Sequence, residues 1–163
     1  NWLVHLDAIL EHDPSPEMRR EAALAVGQLK SAQAVTMLRE ASDDESEKVR
    51  MAVCQAMANQ DADAALPTIQ KLLKDESVDG VQTEAIRALG SFNTPESRGM
   101  LSAALQEKSP ALQYEATLAL GKATGMHYGG NVAKWKAYLA GELTEDDPLS
   151  FAEQAAALNP FSR

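Results

Sequence analysis

The sequence predicts an all-α fold, an α-solenoid of stacked two-helix units, and three observations lead there. Twenty-eight of the 163 residues are alanine, the strongest helix former, while aromatics make up only 5%. The β-branched and aromatic residues that strands favour are thin by comparison. A ten-residue pattern recurs four times at nearly constant spacing, the mark of a repeat architecture. Within each copy the apolar positions follow helical spacing.

The copies are residues 18–27 (MRREAALAVG), 49–58 (VRMAVCQAMA), 81–90 (VQTEAIRALG) and 112–121 (LQYEATLALG), at offsets of 31, 32 and 31. In the first, Met18, Ala22, Ala25 and Val26 form one apolar stripe. The column Ala25, Ala56, Ala88 and Ala119 is small throughout, which predicts close packing between successive first helices. The column Gly27, Ala58, Gly90 and Gly121 falls near the helix ends, where glycine readily adopts a left-handed stop. Ahead of the copies, Asp13-Pro14-Ser15-Pro16, Asp44-Glu45-Ser46 and Ser109-Pro110 supply capping oxygens and prolines for the first turn. The linker at residues 75–80 carries the one extra residue behind the offset of 32.

A second helix follows each copy, at about 32–41, 64–74, 96–106 and 132–140, with inward positions Val35 and Leu66, then Leu38, Ile69 and Leu101. Residues 2–10 read as the second helix of an incomplete preceding unit. The chain begins Asn1-Trp2-Leu3 without an initiator Met, which predicts further sequence upstream. A single helical pair of this length cannot bury its apolar face alone, so units stack and share a core. The expected result is a curved solenoid over residues 1–141, first helices outside and second helices inside. Residues 142–163 then form a C-terminal tail with room for a short helix.

The pattern Asp-x-Ser-x-x-Val-Arg-x-x-Ala-x-x-Ala-x-Gly, with a second helix ending Leu-x-x-Leu-Leu-x-Asp, resembles the short HEAT-like repeats, also called phycobilin-lyase-type HEAT repeats. Residues 44–58 and 66–75 are the nearest copy, and the resemblance covers roughly residues 1–140. It implies about four to five two-helix repeats in a right-handed superhelix. It also implies that the repeat's arginine pairs with acidic residues of adjacent turns. Arg19 and Arg50 fit; Gln82 and Gln113 replace it later, which predicts a weaker ladder in the C-terminal half. Residues 123–135, with Thr124-Gly125, Tyr128-Gly129 and Trp135, are similar to the closing unit of bacterial multi-repeat HEAT proteins, as is the tail at 149–153. Some of those are exported or lipid-anchored, so the resemblance leaves cytoplasm and bacterial envelope both open.

Function is less sharply written. A net charge of −9 disfavours phosphate backbones and anionic lipid, and this argues against the nucleic-acid binding of HEAT-fold glycosylases. No apolar run approaches the roughly 18 residues of a membrane span. His5, His12 and His127 are too scattered for a metal site, and the His-Glu pairs of HEAT-fold iron hydroxylases do not occur. Cys54 lies between the core positions Val53 and Met57, as a structural thiol would. The acidic runs Asp43-Asp44-Glu45 and Glu145-Asp146-Asp147 read as solvated linkers, and Gly129-Gly130 as a turn rather than a phosphate loop. The aromatics Tyr128, Trp135 and Tyr138, with His127, read as a cap on the last open face.

The expected activity is therefore protein binding without catalysis or cofactor. The columns Met37, Thr68, Met100 and Glu40, Lys71, Ala103 lie off the core stripe of the second helices, where they would line the concave face. The alternative is a tetrapyrrole-lyase-like enzyme subunit or a chaperone, for which Cys54 is the one nucleophile to hand. The open N-terminal end, with Trp2, Leu3, Leu6 and Leu10, is a candidate for self-association.

Overall fold

The computed structural model describes residues 2–143. Among them nine α-helices follow one another: α1 (Trp2–His12), α2 (Pro16–Val26), α3 (Ala32–Ala41), α4 (Glu47–Met57), α5 (Ala62–Asp75), α6 (Asp79–Leu89), α7 (Pro95–Ala104), α8 (Pro110–Thr124) and α9 (Val132–Leu139). The described residues contain no strand. The helix pairs α2/α3, α4/α5, α6/α7 and α8/α9 are the four units, and α1 stands before them as a lone second helix. The short helix expected in the tail, and Glu145, Asp146 and Asp147, lie outside the described residues.

Short-range chemistry sets the helix starts. Ser15 Oγ accepts the Met18 N–H at 3.4 Å, Ser31 Oγ the Ala34 N–H at 3.1 Å, and Thr94 and Ser97 form a reciprocal capping box. Ser46 and Ser109 make no such bond, against expectation. In the linkers before α2, α4 and α6 an acidic residue orders the chain. Asp13 and Asp44 accept the amides of Ser15 and Ser46 at 2.9 and 2.8 Å, and Glu76 accepts those of Ser77 and Val78, both at 2.9 Å. Carboxylates bonded this way mimic a backbone turn and aim the chain into the next helix.

One continuous core runs the length of the stack. Its first-helix side is the buried column Val26, Met57, Leu89 and Leu120, and its second-helix side is Leu38, Ile69 and Leu101 with Trp135 beyond. Met18 is exposed although its equivalents Val49, Val81 and Leu112 are buried. Among the described residues α2 has a first-helix neighbour only on the α4 side.

The small column acts as the sequence predicts, whereas the glycine column does not. Gly27 and Gly90 are right-handed, at φ −62° and −63°, so neither is a left-handed stop. Their glycine identity answers a close approach. A Cβ on Gly27 would stand 2.5 Å from Ala56 Cβ and 2.7 Å from Ala56 Cα; on Gly90 it would meet Ala119 Cα at 3.0 Å. The left-handed glycines that follow helix ends are Gly125 after α8 and Gly141 after α9, both at φ 75°. Successive first helices thus come nearly backbone to backbone, while successive second helices, separated by larger side chains, meet far less closely.

The far end closes on aromatics, as expected. Trp135 is 1% exposed and its indole N–H donates to the Gly129 carbonyl at 2.9 Å. The rings of Tyr128 and Tyr138 stand 5.0 and 6.0 Å from it, edge to face.

Candidate partner-binding surface

Because the second helices are spaced openly, grooves form between them. Three lie along the stack: about 290 Å³ between α1 and α3, about 330 Å³ between the α3–α4 linker and the C-terminal end of α5, and about 260 Å³ between α5 and α7. The first has an apolar floor of Leu10, Met37 and Ala41; the third has Leu73, Met100, Ala104 and Leu112. The middle groove is mostly polar, and Lys71 crosses it to reach both carboxylate oxygens of Asp43 at 2.6 Å and Ser42 Oγ at 3.3 Å.

Five of the six residues singled out from the sequence line these grooves, though not as one exposed stripe. Glu40 and Ala103 are exposed, Lys71 and Met100 are half-buried, and Met37 is a floor residue only 4% exposed. Thr68 is 3% exposed and lines none of the three. Met37, Thr68 and Met100 directly precede Leu38, Ile69 and Leu101, about 100° of helical rotation away, so they sit on the flank that packing covers. The lining residues Asp7, Leu10, Leu73 and Glu107 were missed. Their repeat register is visible in the sequence, but which flank stays open depends on the spacing of both layers.

Below the grooves, the linkers are tied by the arginine ladder. Arg19 Nε and Nη2 donate to Asp44 at 2.7 and 2.9 Å, and Arg50 Nε donates to Glu76 at 2.6 Å. Each arginine also donates to a carbonyl six residues back: Arg19 to Asp13 at 2.9 Å and Arg50 to Asp44 at 2.7 Å. Gln82 and Gln113 keep that second bond alone, to the carbonyls of Glu76 and Glu107 at 2.9 and 2.7 Å. The ionic link between neighbouring units is therefore absent from this position in the C-terminal half, as the substitutions predict. There Arg87 bonds Glu115 at 2.9 Å and also pairs with Glu84, both on the first-helix layer.

The ladder fixes local charge states. Burial alone would raise the Asp44 pKa, but the Arg19 hydrogen bonds, the Ser46 amide and the charges of Arg19 and Arg50 hold it below the usual range. The Arg50 hydrogen bond is the main cause of the lowered Glu76 pKa.

Cys54 is fully buried, with Sγ 4.0 Å from the Val81 carbonyl oxygen, and burial pushes its thiol up to about 12. It should resist a thiol-specific disulfide reagent at pH 8 in the native protein and react stoichiometrically once denatured; rapid native labelling would contradict its placement. Among the described residues no three His, Cys, Asp or Glu side chains converge as metal ligands would. None of the described helices is long and apolar enough to cross a membrane. At the N-terminal end Leu6 and Leu10 are covered and Leu3 is half-buried, so the exposed apolar surface there is narrower than expected and centres on Trp2 and Val4.

The HEAT-repeat family profile matches residues 3–90, more than half of the chain. The chain belongs to the HEAT-repeat family. Solved structures similar to this HEAT-repeat chain include human deoxyhypusine hydroxylase in complex with glycerol, at TM-score 0.67 and 21% identity, covering 76% of this chain and 44% of that one. A designed armadillo repeat protein in complex with the peptide (KR)4 matches at TM-score 0.55 and 24% identity, covering 96% and 79%. An engineered protein matches at TM-score 0.53 and 24% identity, covering 88% and 71%. At such identities the likeness is one of fold, and the HEAT-repeat chain spans less than half the length of the hydroxylase. Among proteins of curated function none matches the sequence.

Proposed function

We propose that this HEAT-repeat chain is a protein-binding module whose docking surface is the run of grooves between its second helices, on the face expected to be concave. The observation that carries the reading is the recurrence of an apolar floor with a polar rim between α1 and α3 and again between α5 and α7. Apolar centres ringed by polar groups are how protein interfaces are built. Met37 and Met100 occupy corresponding floor positions, and methionine adapts its shape to a partner. Repeat arrays commonly bind proteins over such extended surfaces.

The lyase-type alternative is weakened by the one described thiol, which is buried and held protonated at neutral pH. The hydroxylase likeness concerns the fold, so it adds no reaction of its own.

A photo-crosslinking residue placed at Ala103, with a control at Gln28 on the first-helix side, tests the surface. A partner captured from source lysate through position 103, and lost in a correctly folded Met100→Glu variant, is the expected result. Specific capture through position 28, or none through 103, would move the docking site off the second helices.

A further inference from the structure

The three grooves differ in charge, and the difference bears on the chemistry of the partner. In the middle groove the chain supplies its own cation: Lys71 lays its stem across the groove and its ammonium meets Asp43 of the α3–α4 linker. The position of Lys71 in the α1–α3 groove is taken by Glu40, one repeat earlier. No Lys or Arg lines that groove. Its rim is Asp7 and Glu11, one turn apart on α1, facing Glu40 on α3, with Asp43 at one end. Like charges at this helical spacing repel one another, a cost that the free protein carries.

These carboxylates are also uncommitted. Asp44, deeper in the wall, is held by Arg19, and Asp43 by Lys71. Among the described residues Glu11 has only His12 beside it, at 3.5 Å, and neither Asp7 nor Glu40 forms an ion pair or hydrogen bond through its side chain. The group is not arranged as metal ligands, because no three of its members converge. Beneath it lies the apolar floor of Leu10, Met37 and Ala41. An anionic rim over an apolar floor fits one kind of side chain especially well, a long aliphatic stem carrying a cationic head.

We infer that the α1–α3 groove receives a Lys or Arg side chain from a basic segment of the partner. The stem lies on Leu10 and Met37, and the head meets a rim carboxylate of Asp7, Glu11 or Glu40 as Lys71 meets Asp43 in the middle groove. This rests on the protein-binding reading of the same surface and adds the charge of the partner segment.

The test uses a fluorescein-labelled eight-residue peptide of alternating Arg and Leu, with an alternating Glu and Leu peptide as its counterpart, read by fluorescence anisotropy. Three proteins are compared: the unaltered chain, Asp7→Asn with Glu40→Gln, and Glu47→Gln with Asp63→Asn. The last pair removes the same charge from exposed positions outside the groove. The expected result is salt-sensitive binding of the basic peptide only, weakened about tenfold by the groove pair and less than twofold by the control pair. Equal weakening by both pairs means general attraction to an acidic chain and overturns the proposal, as does binding of the acidic peptide or no binding at all. Capture through position 103 together with failure here would reject the basic partner and leave the docking surface standing.

Discussion

Replacing Gly27 by alanine should destabilise the protein by about 3 kcal/mol, a large effect for one added methyl group. The new Cβ would fall 2.5 Å from Ala56 Cβ and 2.7 Å from Ala56 Cα, closer than carbon atoms approach without displacement. Since Ala56 Cα is backbone, no rotamer change relieves the overlap; α2 and α4 must move apart. That separation would open the buried column around Val26 and Met57. Gly90→Ala meets Ala119 Cα at 3.0 Å and should cost less. Gly99, inside α7, has nothing within 4 Å of its added Cβ, so Gly99→Ala should stabilise by about 0.5–1 kcal/mol through helix propensity. Urea denaturation of the three variants reads the order and the change of sign. If Gly27→Ala proved as benign as Gly99→Ala, the close approach of first helices would be wrong. Adding Ala56→Gly to Gly27→Ala should recover part of the loss, because the overlap of the two methyl groups is removed while the crowding against the Ala56 main chain remains.

The repeat, the helix pairs and the small column were readable in the sequence because each is a local pattern copied along the chain, whereas the arginine ladder was implied by the resemblance to HEAT-like repeats. The buried thiol followed from its place between Val53 and Met57. The role of Gly27 and Gly90 was misread, although the alanines that crowd them, Ala56 and Ala119, stand in the column already marked as small. What could not be read was the covering of a flank. Met37 and Thr68 share a column with Met100, yet two are buried and one is half-buried, because their exposure depends on the neighbouring second helix. The charge pattern of the grooves was equally hidden. Glu40, Lys71 and Ala103 align as one column, but the facing residues Asp7 and Asp43 come from other elements, and only folding brings them together.

The ladder yields the second large effect. Arg19→Met should destabilise by about 3 kcal/mol, because it leaves Asp44, a carboxylate whose side chain is 10% exposed, without its cation. Arg19→Gln should cost less, since the amide can still donate to the Asp13 carbonyl as Gln82 and Gln113 do to theirs. Pairing Arg19→Gln with Asp44→Asn should return stability to within about 1 kcal/mol of the unaltered protein, because no buried charge is then left unpaired. Asparagine would keep an oxygen for the Ser46 amide. The same pair of substitutions should alter the response to acid. Asp44 and Glu76 have pKa values held below 3.8 and 4.5, so the unfolded chain binds their protons first as pH falls. Their contribution is complete above the unfolded values and disappears as pH drops through the folded ones. Stability should therefore decline on acidification below about pH 5, and less steeply when Asp44 no longer titrates. A decline of equal slope in both proteins would place the acid-sensitive carboxylates elsewhere. A double variant as unstable as Arg19→Met would show that the inter-repeat ion pair cannot be replaced by the neutral contact of the C-terminal units.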